Sequence, residues 1–267
     1  MPFARILTLH GMLKNTICMV NVSCVSYLNS QPFIYGLKNN SIINEIELTL
    51  DVPSVCAEKL LNGTVDIGLV PVAIIPEMKE SHIISDYCIG ADGNVETVLL
   101  LSDVPLQDIK TVLPDYQSRT SVLLLRILAD KFWKIAPVWT DGEINFEKKI
   151  SGTTAGLVIG DRAFTYKNNF KYCYDLAEEW KKFTSLPFVF ACWVSNKKIP
   201  VDFISRFNSA LENGLKNISR VASQHPSKGF NPLDYLTKKV SFNLDAKKKE
   251  AMKLFLEMSE VYAGSSV

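Results

Sequence analysis

Four short runs hold the polar groups best placed to do chemistry. Asn29-Ser30-Gln31 follows the apolar stretch that starts at Val25 and is closed by Pro32. Ser118-Arg119-Thr120-Ser121 sets three hydroxyls and a guanidinium directly before the apolar run Val122 to Ala129. Gly160-Asp161 ends the run Ala155 to Ile159, and Thr97 stands at the start of the apolar run Glu96 to Ser102. Amides and hydroxyls at the ends of apolar strands are how an α/β protein presents polar groups to a ligand at the edge of its sheet. Pro71, which ends the run Val65 to Val70, can line such an edge through its backbone. Free first-turn amides and added hydroxyls favour an anion, so 118–121 points to a carboxylate or a phosphate. Each run also has a plain structural reading. Asn29, Ser30, Ser118 and Asp161 can cap helices, Arg119 can be a solvated charge, and Thr97 can be a propensity choice.

Other chemistry finds little support. The three histidines (His10, His82, His225) are far apart in sequence, so neither a histidine metal site nor a Ser-His-Asp triad is indicated. The six cysteines form no Cys-x-x-Cys pair, which removes zinc and redox motifs. Glu178 and Glu179 are adjacent and do not share a helix face, so they read as surface charge.

The elements that position these runs follow from periodicity. Ile17 to Val25 reads as a strand, Phe33 to Lys38 as a short helix, and Ile46 to Leu50, with alternating polarity, as a second strand. Pro53 to Leu61 reads as a helix, with Pro53 near its start and Gly63 just past its end. Val65 to Val70 is a buried strand, and this order implies a parallel sheet with right-handed crossovers. Tyr87 to Ile89 reads as a short strand before a turn cluster at 90–94. After Pro105 the pattern restarts: a strand at Ile109 to Leu113, the buried helix after Ser121, an edge strand near Pro137, and a buried strand at Ala155 to Ile159. A further strand (Lys171 to Asp175), a helix (Leu176 to Phe183) and a long apolar strand (Leu186 to Ser195) follow. The remainder is helical, with Phe203, Phe207, Leu211 and later Leu254, Phe255, Met258 as core-facing stripes.

Two α/β patterns in one chain predict two lobes. If the apolar runs Glu96 to Ser102 and Leu186 to Ser195 cross between them, residues 1–101 plus 195–267 form one lobe and 102–194 an inserted second lobe. Asn29, Pro71 and Thr97 then face a central cleft from one side, and Ser118 to Ser121 with Gly160-Asp161 from the other. Polar groups converging on one cleft make a small-molecule site the default expectation. The chain has 267 residues, 47% of them hydrophobic, with a formal charge of +1. That suffices for a full core and argues against nucleic acid as a partner. No apolar run reaches membrane-spanning length. Met1 to Thr16 is interrupted by His10, Gly11 and Lys14, unlike a signal peptide. It reads as an extension upstream of a start at Met19, and with the unpaired cysteines it predicts a reduced, cytoplasmic protein.

Val25-Ser26-Tyr27-Leu28-Asn29-Ser30-Gln31-Pro32-Phe33 resembles the opening signature of the chorismate dehydratases of the futalosine route to menaquinone. Asp66 to Val72, Ser118 to Ser121, Ala155 to Asp161, and Asp175 through Trp180 into Leu186 to Ala191 match further stretches of that family, so the resemblance runs from about Ile17 almost to the C-terminus. It implies a two-lobed type II periplasmic-binding-protein-like α/β fold with a hinge and a central cleft. It further implies a lyase that removes water from chorismate to give 3-[(1-carboxyvinyl)oxy]benzoate without a metal or an organic cofactor. In that family a carboxylate of the substrate is thought to take the proton. By resemblance Asn29 is the catalytic residue, and Ser30, Pro71, Thr97, Ser118, Arg119, Thr120, Ser121, Gly160 and Asp161 bind substrate. Thr97 stands where the family often has serine, keeping the hydroxyl and adding a methyl. A monomer or weak homodimer is expected, with no nucleic-acid or membrane partner. The competing readings are a non-catalytic solute-binding protein of the same fold, against which the missing signal peptide and unpaired cysteines stand, and the effector domain of a transcription regulator, for which Met1 to Thr16 is too short to supply a DNA-binding helix pair.

Overall fold

The computed structural model describes residues 19–140, 142–227 and 229–262, so the expected extension Met1 to Thr16 lies outside the described residues. The first sheet is built from β1 (Val20–Val25), β2 (Ile46–Asp51), β3 (Ile67–Pro71) and β4 (His82–Ala91), with α1 (Gln31–Lys38) and α2 (Pro53–Leu61) as crossovers. β1 pairs in parallel with both β2 and β3, as the alternation of strands and helices requires. The chain then builds a second sheet from β5 (Val98–Ser102), β6 (Thr111–Leu113), β7 (Val138–Trp139), β8 (Thr154–Ile159) and β9 (Tyr172–Asp175). It carries α3 (Arg119–Ile127), α4 (Arg162–Tyr166) and α5 (Leu176–Thr184). β10 (Phe188–Ser195) returns to the first sheet. The helices α6 (Val201–Lys216), α7 (Ile218–Gln224), α8 (Pro232–Asp234) and α9 (Ala246–Ser259), with the short β11 (Ser241–Asn243), complete that lobe.

The sheet orders are β11-β4-β10-β3-β1-β2 and β7-β6-β8-β5-β9. β10 therefore lies between β4 and β3, antiparallel to both. Neither long apolar strand spans the two lobes. β5 belongs wholly to the second sheet and β10 wholly to the first, and the chain crosses in 92–97 and again after α5. The second sheet thus draws all its strands from 98–175, with β10 outside it. Apolarity reports that a strand is buried and is silent on which sheet buries it. The strand expected at Tyr87 to Ile89 is likewise longer, ten residues from His82, and takes in Gly90 and Ala91 from the expected turn cluster. A Cβ at Gly90 would stand 2.6 Å from the Phe188 carbonyl oxygen, so glycine here serves close strand packing.

Two features fix the crossings. Asp175 caps α5 by accepting from the backbone N–H groups of Ala177 (3.0 Å) and Glu178 (3.2 Å), and its other oxygen accepts from those of Val95 (2.9 Å) and Glu96 (2.6 Å). One carboxylate so ties the outgoing crossing to the returning one. Glu96 holds a left-handed backbone (φ 65°), a conformation that costs a non-glycine residue free energy and persists only where its surroundings impose it. Its carboxylate bridges Lys167 of the second lobe (3.0 Å) and Lys239 of the first (2.8 Å).

α1 and α6 cross with their backbones in contact. A Cβ built at Gly214 would lie 1.8 Å from the Pro32 carbonyl oxygen, and one at Gly36 2.1 Å from that of Ala210. Only glycine at both positions allows that approach. The crossing seats α1, and the turn before it, on the first sheet.

Candidate functional site

A narrow cleft lies between the sheets. From the first lobe it is lined by the turn after β1 (Tyr27, Asn29, Ser30), by Pro53 at the start of α2, by Pro71 at the end of β3, and by Phe190 and Ala191 of β10. Thr97 lines it from the crossing, and the second lobe adds Val98, Ser118, Ser121, Ile159 and Gly160. The carboxyl ends of β1, β3 and β8 all meet here, which is why three strand-end runs spread over more than a hundred residues converge.

Leu28 to Ser30 form a single 3-10 turn that runs straight into α1, with Pro32 in the helix's first turn. Ser30 is fully buried at the N-cap position, yet its side chain makes no cap bond. Its hydroxyl instead donates to the Asn29 Oδ1 at 3.0 Å, so these side chains serve each other and the cleft rather than the helix end. Ser118 does cap α3: its Oγ accepts from the Ser121 N–H at 3.2 Å and donates to the Ser121 hydroxyl at 2.9 Å. Both serines also line the cleft, so capping and lining are one arrangement.

Thr97 is buried, and its hydroxyl lies 3.0 Å from the Tyr235 phenol oxygen. Gly160 has φ 65°, and its N–H donates to the Thr97 carbonyl at 2.9 Å. A Cβ there would meet the Tyr27 ring at 2.8 Å, so the glycine lets the two lobes close onto that ring.

Three residues expected at the site point elsewhere. Arg119 pairs with Glu77 at 2.8 Å on the surface and lines a different cavity, behind α3. Thr120 is buried, but its hydroxyl accepts from the Ala73 N–H at 3.2 Å and so fastens α3 to the first lobe. Asp161 accepts from the Leu28 N–H at 3.2 Å and lines an adjoining cavity with His225 and Phe164. Successive residues of a helix turn point about 100° apart, so a four-residue run places only part of itself on one face. Sequence reasoning missed Tyr27, Pro53, Phe190 and Tyr235. Tyr27 sat inside the quoted signature, whereas Tyr235 is 138 residues from Thr97 and carried no local signal.

Among the described residues the lining holds one titratable side chain, Tyr27. Burial, and next the charge of Asp115, push its phenol well above the usual range, so it stays protonated at neutral pH. Its hydroxyl donates to Gln117. Burial pushes the Asp115 carboxyl up to about 6, against the pull of Arg162. Asp115 is committed behind the wall, to Arg162 and to the N–H groups of Gln117 and Ile159. The cleft therefore offers hydroxyls, a carboxamide, a helix N-terminus and apolar surface. That set can bind an anionic, partly apolar small molecule and stabilise negative charge on it.

The fold defines the class. The structure of AF1704 from Archaeoglobus fulgidus matches with a TM-score of 0.73 at 15% identity, over 93% of this chain and 99% of that one. A Candida albicans protein described as having the generic periplasmic binding protein fold matches at 0.59 and 13% identity, over 93% and 92%. The alkanesulfonate-binding protein SsuA from Xanthomonas axonopodis pv. citri, bound to MOPS, matches at 0.60 and 13%, over 92% of each chain. The protein thus has the periplasmic-binding-protein-like α/β fold. Residues 20–261 match a family described as menaquinone biosynthesis, and the chain belongs to that family. Among the described residues no helix is long and apolar enough to cross a membrane.

Proposed function

We propose that this protein is a chorismate dehydratase, a hydro-lyase acting in the cytoplasm on the futalosine route to menaquinone. Membership of a menaquinone-biosynthesis family supports the pathway, and one observation carries the reaction: a cleft rich in donors where, among the described residues, the lining holds no group able to act as a base at neutral pH. A hydrolase or an isomerase built on side-chain acid–base chemistry needs such a group. Dehydration of chorismate does not, because the substrate brings its own carboxylates.

In the reaction the C3–H and C4–O bonds break, the C3–C4 double bond forms, and water leaves as the ring becomes aromatic. The substrate's side-chain carboxylate takes the C3 proton and passes a proton to the departing C4 hydroxyl, which leaves as water. Negative charge that develops at C3 is conjugated through the ring to the ring carboxylate. Donors fixed against that system stabilise the transition state more than the ground state. Asn29 supplies a carboxamide, Ser118 and Ser121 with the first turn of α3 supply a carboxylate seat, and Thr97 supplies a hydroxyl. Apolar contacts from Val25, Ile89 and Phe190 exclude water, and lobe closure completes the enclosure.

Two substitutions separate the roles within 118–121. Ser121→Ala should raise KM for chorismate by about tenfold, the loss expected for one charge-assisted hydrogen bond. Arg119→Ala, which removes only an exposed ion pair, should leave KM within about twofold. The reverse ranking in steady-state kinetics would move the carboxylate seat to the other face of α3.

The deciding experiment is incubation of the purified protein with chorismate in the absence of added metal, followed by mass and ultraviolet analysis. A product lighter by one water and aromatic in the ultraviolet is expected. Chorismate that stabilises the protein thermally but is recovered intact would mark a binding protein instead of an enzyme.

A further inference from the structure

Asp161 holds the N-cap position of α4, where an aspartate ordinarily accepts from first-turn amides, yet its side chain makes no cap bond. Its carboxylate reaches out of its own lobe instead. Both oxygens accept from the Leu28 N–H, at 3.2 and 3.3 Å. Leu28 lies 133 residues away in sequence and opens the 3-10 turn Leu28–Ser30, whose middle residue is Asn29. The first amides of a helical turn have no acceptor inside the turn, so this N–H needs one from outside. Asp161 leaves its own helix end bare and supplies it.

The neighbours of both residues make the same crossing. Gly160, just before Asp161, packs so closely on the Tyr27 ring that a Cβ would stand 2.8 Å from it. The Gly160 N–H is itself fixed to the Thr97 carbonyl at 2.9 Å. The Tyr27 hydroxyl donates to the Gln117 carboxamide oxygen. Arg162, next to Asp161, donates to that same oxygen at 3.2 Å and to the buried Asp115 at 2.5 Å. Residues 27 and 28 are thus held from the second lobe through ring, hydroxyl and amide. The first lobe holds the turn on its other side, where the Ser26 N–H donates to the Asp51 carbonyl at 2.9 Å.

We infer that Asp161 is a positioning residue: by holding the Leu28 amide it fixes, from the second lobe, the turn that carries Asn29 to the cleft. Its kinetic consequence rests on the dehydratase reading above, whereas its structural consequence does not. Asp161 lines the adjoining cavity, so it acts on the cleft through the turn. The turn asks for an acceptor oxygen at that place. A direct contact with substrate, or a need for negative charge, would ask for the carboxylate itself, and this difference makes the assignment testable.

Asp161→Ala removes the acceptor, and Asp161→Asn keeps an oxygen there without the charge. On chorismate, Asp161→Ala should lower kcat by about tenfold while KM stays within about twofold, since the binding contacts remain and alignment in the transition state is lost. Asp161→Asn should recover most of that loss. A kcat for Asp161→Ala within about twofold of wild type would overturn the inference, whether or not its melting temperature falls. An Asp161→Asn variant as slow as Asp161→Ala would overturn it too, because charge rather than an acceptor would then be what the site requires. A second readout needs no turnover. In ¹⁵N spectra the Asn29 side-chain amide, assigned by its loss in Asn29→Ala, should shift in Asp161→Ala and return towards its wild-type position in Asp161→Asn. An unchanged resonance in Asp161→Ala would overturn the positioning role by itself. If the wild-type protein leaves chorismate intact, the dehydratase reading fails, and the amide spectra alone decide the role of Asp161.

Discussion

Asn29→Ala is expected to lower kcat on chorismate by about 10²–10³-fold with the fold intact, the loss typical of removing one preorganised donor from a site where charge develops. The residue is suited to such a clean experiment. Asn29 is only partly buried, caps no helix, and its carboxamide oxygen accepts from the Ser30 hydroxyl at 3.0 Å. Truncation leaves the Ser30 hydroxyl short of a partner, a stability cost of about 1 kcal/mol. The variant should therefore melt only slightly below wild type. Steady-state assay beside a thermal melt checks both halves of the expectation. Turnover close to wild type would remove Asn29 from the mechanism, and the hydroxyls of Thr97, Ser118 and Ser121 would become the groups to test.

Gly214→Ala should produce the largest stability effect of any small substitution far from the cleft. The added methyl would stand 1.8 Å from the Pro32 carbonyl oxygen, a backbone atom that cannot swing aside. α1 and α6 would have to separate, at a cost of about 3 kcal/mol or more. In a chain this long each kcal/mol lowers the melting temperature by roughly 2–4 °C. Gly63→Ala is the contrast. Nothing lies within 4 Å of a Cβ there, and the cost is limited to a left-handed backbone at φ 77°, about 1 kcal/mol. Thermal or denaturant unfolding of both variants would show the ranking, and a Gly214→Ala melt within about 2 °C of wild type would refute the close crossing. Because Pro32 follows the Asn29 turn directly, the surviving Gly214→Ala protein should also bind chorismate more weakly.

Much of this architecture was legible in the sequence because burial writes itself into composition. Continuous apolar runs divided by amphipathic stretches gave the parallel β2-β1-β3 core, and the restart after Pro105 gave the second lobe. Sheet membership was not legible. β5 and β10 are both uniformly apolar, and only pairing with β8 and β9 in one case, and β3 and β4 in the other, assigns them. At the site, polar residues flanking apolar strands were visible as a break in pattern, which is why Asn29, Ser30 and Thr97 could be named in advance. Side-chain direction was hidden. Arg119 sits one residue from Ser118, yet it faces Glu77 on the surface. Tyr235 was hidden for a different reason. Its surroundings in sequence are those of any buried tyrosine, and its meaning comes entirely from partners brought to it by the fold.

The interleaved order of the first sheet has a consequence for biosynthesis. The second sheet is drawn from one unbroken stretch, 98–175, so it can assemble as soon as that stretch has left the ribosome. The first sheet cannot. Its β3 and β4 flank a gap that stays open until β10 is made, about a hundred residues after β4. At synthesis rates of about 5–20 residues per second, two apolar strand edges wait unpaired for roughly 5–20 seconds. Edges of that kind recruit other chains when left alone. The nascent protein should consequently depend on chaperones most strongly between the emergence of Ala91 and that of Ser195, and chains stalled in that interval should aggregate while full-length chains do not.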